Sequence, residues 1–181
     1  MNWKDTQKAF GRISIINHWT LAILMIGMLI FGLILEDMPR ADKRELMPLH
    51  KSIGILILFL GLWRVGWRII CRFPERLPGL KAWEINAAKV AHSILLIGIL
   101  LMPLSGYVMS EAGGRSVSFF GLFNMPELPN SKALKDFASN IHDIFGKFLM
   151  AIILLHIAAA LKHHFVSKDA TLKRMLGVKA D

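Results

Sequence analysis

The chain has 181 residues, of which 54% are hydrophobic, and a formal net charge of +9 at pH 7. A soluble domain of this size rarely carries so large an apolar fraction, so the composition favours an integral membrane protein in a lipid bilayer. The lysines and arginines lie in clusters that flank apolar runs and do not form one basic stripe, which argues against a nucleic-acid partner.

Four segments are long and apolar enough to cross roughly 30 Å of hydrocarbon, which takes about 20 helical residues. They lie at approximately 14–35, 49–71, 85–109 and 140–165. None alternates like a barrel strand, and an open sheet would leave unsatisfied edges in lipid. The predicted fold class is therefore all-α, an integral membrane four-helix transmembrane bundle that forms a single domain over residues 1–181.

The longest connection, between the third and fourth segments, contains Gly113-Gly114, Pro126 and Pro129. This composition predicts a loop, with room for a short amphipathic helix on the surface. Within the third segment, Pro103 lacks a backbone N–H and predicts a kink before Ser105-Gly106.

The distribution of basic residues predicts the orientation in the membrane. Of the 22 lysines and arginines, 14 lie at the N-terminus, in and around the second connection, and at the C-terminus. The opposite side carries the remaining eight. Because cytoplasmic segments carry the excess of basic residues, both termini are expected in the cytoplasm.

Histidines within the apolar segments are the main candidates for a functional site. There are five: His18, His50, His92, His142 and His156. A single histidine in such a helix is more often an interfacial or hydrogen-bonding residue. Ionisable side chains are rare and costly inside a bilayer, however, so five together favour a binding site.

The spacing of His142 and His156 on the fourth helix indicates two cofactors. Fourteen residues at about 100° each return the second ring to within about 40° of the first, about 21 Å further along the helix. This arrangement suits one haem toward each face of the membrane. The only cysteine is Cys71 and there is no CxxCH motif, so each haem would be held without a covalent bond.

The topology then predicts the second ligand of each haem iron. His18 and His156 lie at the inner side and form one predicted pair, and His50 and His142 form the outer pair. These four residues are the predicted cofactor and metal ligands. His92 is left outside the ligand set, with three roles open: an alternative ligand, a partner of a haem propionate, or a quinone contact.

Several short segments carry a resemblance to a known family. They are Ile16-Asn17-His18-Trp19, Leu49-His50-Lys51-Ser52-Ile53-Gly54, Ala91-His92-Ser93 with Pro103 and Gly106, Ile141-His142, and the run from His156 to His164. Over essentially the whole chain this pattern resembles the bacterial cytochrome b561 family. The resemblance implies four transmembrane helices and two haems b, with axial ligands from the first, second and fourth helices. The matching positions are the same four histidines.

The resemblance also implies a reaction and a location. A bacterial inner-membrane protein of this kind is expected to oxidise periplasmic superoxide and to pass the electrons through its haems to ubiquinone, as a superoxide:ubiquinone oxidoreductase. Lys51, next to His50, is a candidate for attracting the anion or for anchoring the helix at the interface. No catalytic residue is assigned.

Two alternatives remain open from the sequence. One is a generic cytochrome b that carries electrons between a dehydrogenase partner and the quinone pool. The other is a histidine-dependent metal or proton transporter. The separation of about 21 Å between the histidines of the fourth helix argues against the transporter, because the ligands of one metal ion lie only about 2 Å from it.

Overall fold

The computed structural model of the chain describes residues 2–7, 9–71, 73–75, 77 and 79–178. Four long helices make up most of it, which confirms the predicted all-α bundle of four membrane-spanning helices. In chain order the elements are α1 (Arg12–Asp37), α2 (Arg40–Ile70), α3 (Ala82–Glu111), β1 (Ser118–Phe119), β2 (Phe123–Asn124), α4 (Lys132–Lys162), a π-helical turn (His163–Ser167) and α5 (Thr171–Met175).

The outer surface of the bundle is apolar. Large side chains such as Ile23, Ile144 and Leu154 are more than two-thirds exposed. In water this surface would be unfavourable, whereas in a bilayer it faces lipid tails at no cost. The chain is therefore a multi-pass membrane protein.

The buried core is small and lies between the helices. It consists of Leu21, Met25, Ile57, Ile99, Met102 and Leu149. Neighbouring helices in the chain pack against one another, whereas α1 and α4 meet over only a few residues. Gly98 brings α3 close to α4, because a Cβ atom there would lie 2.7 Å from Leu149 Cδ1. The loose contact between α1 and α4 leaves space inside the bundle for something other than side chains.

Two helices begin earlier than the sequence predicted. Helix α2 starts at Arg40, where a start near residue 49 was expected, and α4 starts at Lys132, where a start near residue 140 was expected. Charged residues are frequent among the added residues, which therefore fall outside the apolar runs that hydropathy counts as membrane-spanning. Helix α4 is also capped by Ser131, whose hydroxyl accepts a hydrogen bond from the Leu134 amide at 3.3 Å. The first connection is consequently reduced to Met38 and Pro39.

The long connection between α3 and α4 contains a small β-hairpin and no helix, so the expected surface helix was wrong. Strand β1 pairs antiparallel with β2, with Phe119 opposite Phe123. Ser52 holds the hairpin onto α2, because its hydroxyl accepts from the Phe120 amide and donates to the Ser118 carbonyl, both at 3.0 Å. The end of the bundle that carries this hairpin is called the hairpin end.

The opposite end carries both chain termini and is called the terminal end. Asp5 lies there in a buried ion pair with Arg68, at 2.7 Å, and both side chains are less than a tenth exposed. The same carboxylate accepts hydrogen bonds from the Gly11 amide at 2.7 Å and from the Ser14 hydroxyl at 2.9 Å. Asp5 thus holds the residues at the start of α1 and joins them to α2.

The C-terminal segment packs back onto the terminal end. Trp19 donates from its indole N–H to the Met175 carbonyl at 2.9 Å. Partial burial would raise the pKa of Asp169, but hydrogen bonds from Thr171 and the contact with His163 outweigh it and lower that pKa. The carboxylate therefore stays charged and fixes the turn that precedes α5.

The Asp5 contacts generate a prediction about stability. Replacing Asp5 by Ala should lower the free energy of unfolding by about 3–5 kcal/mol, because it leaves the Arg68 charge buried without its partner. Asp5→Asn should cost less, since the amide oxygen can still accept from the Gly11 amide. Glu45→Ala is the matched control, because Glu45 is exposed and has no ion pair within the described residues. Thermal unfolding of the purified protein in detergent would measure the effect, and equal losses for Asp5→Ala and Glu45→Ala would contradict it.

Candidate functional site

The five membrane histidines gather at two levels of the bundle. At the hairpin end the rings of His50 and His142 have their centres 6.4 Å apart, with an angle of 72° between the ring planes. At the terminal end the rings of His18 and His156 are also 6.4 Å apart, at 71°. The structure thus brings together both pairs that the sequence analysis named, with nearly the same geometry.

The spacing within each pair matches two imidazoles on opposite sides of one metal atom. With a nitrogen-to-metal bond of about 2 Å on each side, the two ring centres come to lie about 6 Å apart. Rings in direct contact would lie closer together, and rings on the outer surface would not face each other. Each pair therefore has the separation that a bis-histidine haem iron requires.

His142 is held by groups that set its tautomer. Its Nδ1 lies 3.0 Å from the Met102 carbonyl oxygen and 3.1 Å from the Ser105 hydroxyl oxygen. A carbonyl oxygen can only accept, so the proton sits on Nδ1 and Nε2 carries the free lone pair. This is the usual arrangement of a histidine that binds a metal through Nε2.

His50 faces the same space from α2. Its Nδ1 is buried and has no hydrogen-bond partner among the described residues. The ring packs against Phe31, with centres 5.6 Å apart, and Cε1 lies 3.8 Å from the position a Cβ atom would take at Gly32. His50 thus lies in an apolar environment, and its ring faces that of His142 across the bundle.

Glycines keep the space around this pair open. A Cβ atom at Gly106 would lie only 3.1 Å from His142 Cε1, so a side chain there would displace the ring. A Cβ atom at Gly54 would meet nothing within 4 Å and would project into the cavity. Gly146 also lines the cavity, but its Cβ position is 3.1 Å from Met102 Cε. Gly54 and Gly106 thus leave room for a flat ring.

A cavity of about 370 Å³ lies between the helices at the hairpin end, with His50 and His142 in its wall. Four basic side chains line it, Lys43, Lys51, Arg115 and Lys147, and they outnumber its two acidic side chains, Glu36 and Asp143. Lys147 is paired with Asp143 at 2.8 Å. The ammonium of Lys51 donates to the carbonyl oxygens of Arg115 and Ser116, both at 3.2 Å. Because carbonyl oxygens are neutral, these bonds fix Lys51 without cancelling its charge.

The terminal-end site contains two further residues. His92 lies on the other side of His156, with ring centres 5.5 Å apart, and stacks on Phe73 at 6.4 Å. Its side chain is more exposed than those of the other four histidines. Arg64 reaches the site from α2, with Nη2 3.3 Å from His18 Nδ1 and Nη1 3.1 Å from Asn17 Oδ1. Both pairings of His156 are close, and the choice of His18 over His92 stays a prediction.

Sequence reasoning missed three parts of these sites. Arg64 was counted only toward the orientation of the chain, although an arginine inside an apolar helix is itself a functional signal. Ser105 was noted only beside the kink expected from Pro103. The Met102 carbonyl gave no signal in the sequence, because only the packing of α3 against α4 brings it to His142.

Comparison with known proteins identifies the family to which the chain belongs. The family described as prokaryotic cytochrome b561 matches residues 9–178. Cytochrome b561 homolog 2 of Escherichia coli (strain K12) is 37% identical over 180 residues, which covers 98% of this chain and 96% of that protein. Cytochrome b561 homolog 1 of the same organism is 29% identical, over 92% of this chain and 96% of its own length.

A third relative carries a more specific name. A protein of Yersinia pestis named "Probable superoxide oxidase CybB" is 28% identical over 95% of this chain and 98% of its own length. The family match spans nearly the whole chain, including all five membrane histidines. The chain therefore belongs to the prokaryotic cytochrome b561 family, whose members bind haem b and transfer electrons in membranes.

Proposed function

We propose that the chain is a di-haem cytochrome b, with His50 and His142 as axial ligands at the hairpin end and His18 and His156 at the terminal end. The observation that carries the proposal is the equal 6.4 Å separation of the two ring pairs, one at each end of a membrane bundle. All of residues 1–181 would then serve as one domain built around two cofactors.

The residues present fit haem chemically. His142 offers Nε2 as a ligand because the Met102 carbonyl holds the proton on Nδ1. Gly54 and Gly106 leave the neighbouring space open, and the His50 ring faces His142 across it. When bound, haem supplies an iron that takes up and releases one electron. Two histidines on that iron would exclude a third ligand, which favours outer-sphere electron transfer over oxygen binding.

The orientation follows from the basic residues. With 14 of the 22 lysines and arginines in the sequence segments at the two termini and around the connection between α2 and α3, both termini would lie in the cytoplasm of a bacterium and the chain in its inner membrane. The hairpin end would then face the periplasm. Electrons would cross the bilayer between the two histidine pairs.

We further propose superoxide as the electron donor at the hairpin end. The basic side chains around the cavity would attract an anion, and Lys51 keeps its charge because it binds only neutral carbonyl oxygens in the described structure. The relative from Yersinia pestis named as a probable superoxide oxidase supports the same substrate. Two superoxide anions would each lose one electron to become dioxygen.

The electron acceptor would be ubiquinone, which takes up those two electrons and two protons to give ubiquinol. A recess on the lipid-facing surface at the terminal end supports this acceptor, since it lies beside His18 and is mostly apolar. It is lined by Ile13, Ile16, Asn17, Thr20, Leu60 and Trp63. Arg64 binds the amide oxygen of Asn17, so the amide N–H groups remain to donate to a quinone carbonyl.

The alternative within electron transfer is a generic cytochrome b that links a dehydrogenase to the quinone pool. Two of the relatives are named only as cytochrome b561 homologs, which fits this broader role equally well.

The family match argues for electron transfer and against the metal or proton transporter considered from the sequence. Within the described residues, no group of three or more His, Cys, Asp or Glu side chains is placed to hold a metal ion.

The ligand assignment predicts which haem each substitution removes. His50→Ala or His142→Ala should abolish the hairpin-end haem and retain the other, because each leaves an iron with one axial ligand. His18→Ala or His156→Ala should do the reverse, and His92→Ala should retain both. Haem content from the pyridine haemochrome assay, with redox titration of each variant, would measure this. Loss of a haem in His92→Ala together with two haems in His18→Ala would assign His92 and His156 as the terminal-end pair.

The donor proposal predicts a charge-dependent rate. Superoxide should reduce the haems in stopped-flow absorbance, added ubiquinone should reoxidise them, and the reduction rate should fall as ionic strength rises. Lys43→Gln should slow reduction by a few-fold at low salt, because Lys43 lines the cavity and has no ion pair in the described chain.

Two controls make this experiment decisive. Lys132→Gln removes a charge at the same end, but from an exposed residue paired with Asp136 outside the cavity, so the rate should not change. Superoxide dismutase should abolish reduction. If reduction continues unchanged in the presence of dismutase, superoxide is not the donor and the generic quinone-linked cytochrome becomes the better account.

A further inference from the structure

Arg64 is a positive charge within a membrane-spanning helix, and no carboxylate of the described chain lies within ion-pair distance of it. Its guanidinium contacts only the Asn17 amide oxygen and His18 Nδ1. Arg68, one turn further along α2, differs because Asp5 pairs with it at 2.7 Å. An unpaired charge at this depth is costly, so Arg64 is expected to have an anionic partner.

The contact between Arg64 and His18 conflicts with iron ligation. A guanidinium can only donate, so His18 Nδ1 must accept from it and the imidazole proton must sit on Nε2. A histidine that binds iron through Nε2 carries its proton on Nδ1. Two donors would then face each other across 3.3 Å, and Arg64 Nη2 would have to turn to another acceptor.

A second donor at this end also lacks an acceptor. The Arg68 side chain is only 8% exposed, and its Nη1 is buried without a hydrogen-bond partner in the described chain. Arg64 and Arg68 are four residues apart on one helix and so lie on the same face. The protein thus presents buried N–H groups on this face of α2 that its own described carboxylates and carbonyls do not satisfy.

We propose that Arg64 binds a propionate carboxylate of the terminal-end haem and thereby sets the redox potential of that haem. Haem b carries two propionates, and the guanidinium of an arginine offers charged N–H donors to a carboxylate. Nη1 keeps its bond to Asn17 while Nη2 exchanges His18 for the carboxylate. The proposal rests on the proposed function, because it takes His18 as a haem ligand.

The test compares Arg64→Met with Arg64→Lys in the full-length protein purified in detergent. In Arg64→Met the protein should retain two low-spin haems, and one midpoint potential should fall because a positive charge that favours the reduced state is lost. The same potential should become dependent on pH, since the propionate is no longer held ionised and takes up a proton on reduction. Arg64→Lys should keep most of the original potential.

The second haem and a distant charge serve as controls. The other midpoint potential should stay unchanged in Arg64→Met, and Lys89→Met should change neither, because Lys89 is exposed on α3. An alternative result is that Arg64→Met binds the terminal-end haem so weakly that this haem is lost on purification. If Arg64→Lys then keeps both haems, the result also supports the ion pair between residue 64 and the propionate. Loss in both variants would overturn it, because the shape of arginine and not its charge would then matter.

Two further outcomes separate this inference from the proposed function. Two haems in Arg64→Met with unchanged potentials and pH dependence would overturn the propionate site and leave the di-haem cytochrome intact. Fewer than two haems in the unsubstituted protein would instead refute the proposed function itself.

Discussion

Each end of the bundle is organised around two imidazole rings that face each other with their centres 6.4 Å apart. In a bilayer no bulk water is available to satisfy such rings, so their partners must come from the protein or from a bound group. A metal atom between the two rings would accept a nitrogen lone pair from each of them. The sparse contact between α1 and α4, and the glycines beside the rings, are what keep that space open.

The two ends carry positive charge in different ways. At the hairpin end the basic side chains line an open cavity, and Lys51 is fixed by neutral carbonyl oxygens. At the terminal end Arg68 is buried and paired with Asp5, while Arg64 reaches inward to His18. Charge that faces solvent can attract a diffusing anion, whereas buried charge acts on a bound group. The asymmetry suits an electron donor at one end and a tuned acceptor haem at the other.

Sequence alone predicted the parts of the structure that depend on local patterns. The four helices follow from hydropathy, and the common face of His142 and His156 follows from the regular turn of an α-helix. The pairing of those rings with His50 and His18 followed from the order in which the helices cross the membrane. These features need no knowledge of how the helices rotate against one another.

The remainder depends on packing that the sequence does not encode locally. Helix α2 starts at Arg40, which lies outside the apolar run. The hairpin at 118–124 is held by Ser52, a residue of α2 that is far from it in the sequence. The approach of Arg64 to His18, and of His92 to His156, depends on the rotation of whole helices. For the same reason the sequence placed His92 near the inner haem but did not fix its role.

The central claim is that each ring pair holds one haem b, and the haem content of the purified protein tests it most directly. A pyridine haemochrome assay, normalised to protein concentration, should give about two haems b per chain, and the visible spectrum should be that of six-coordinate low-spin iron. One haem per chain, a high-spin spectrum, or haem that resists extraction by acid acetone because it is covalently bound would contradict the account.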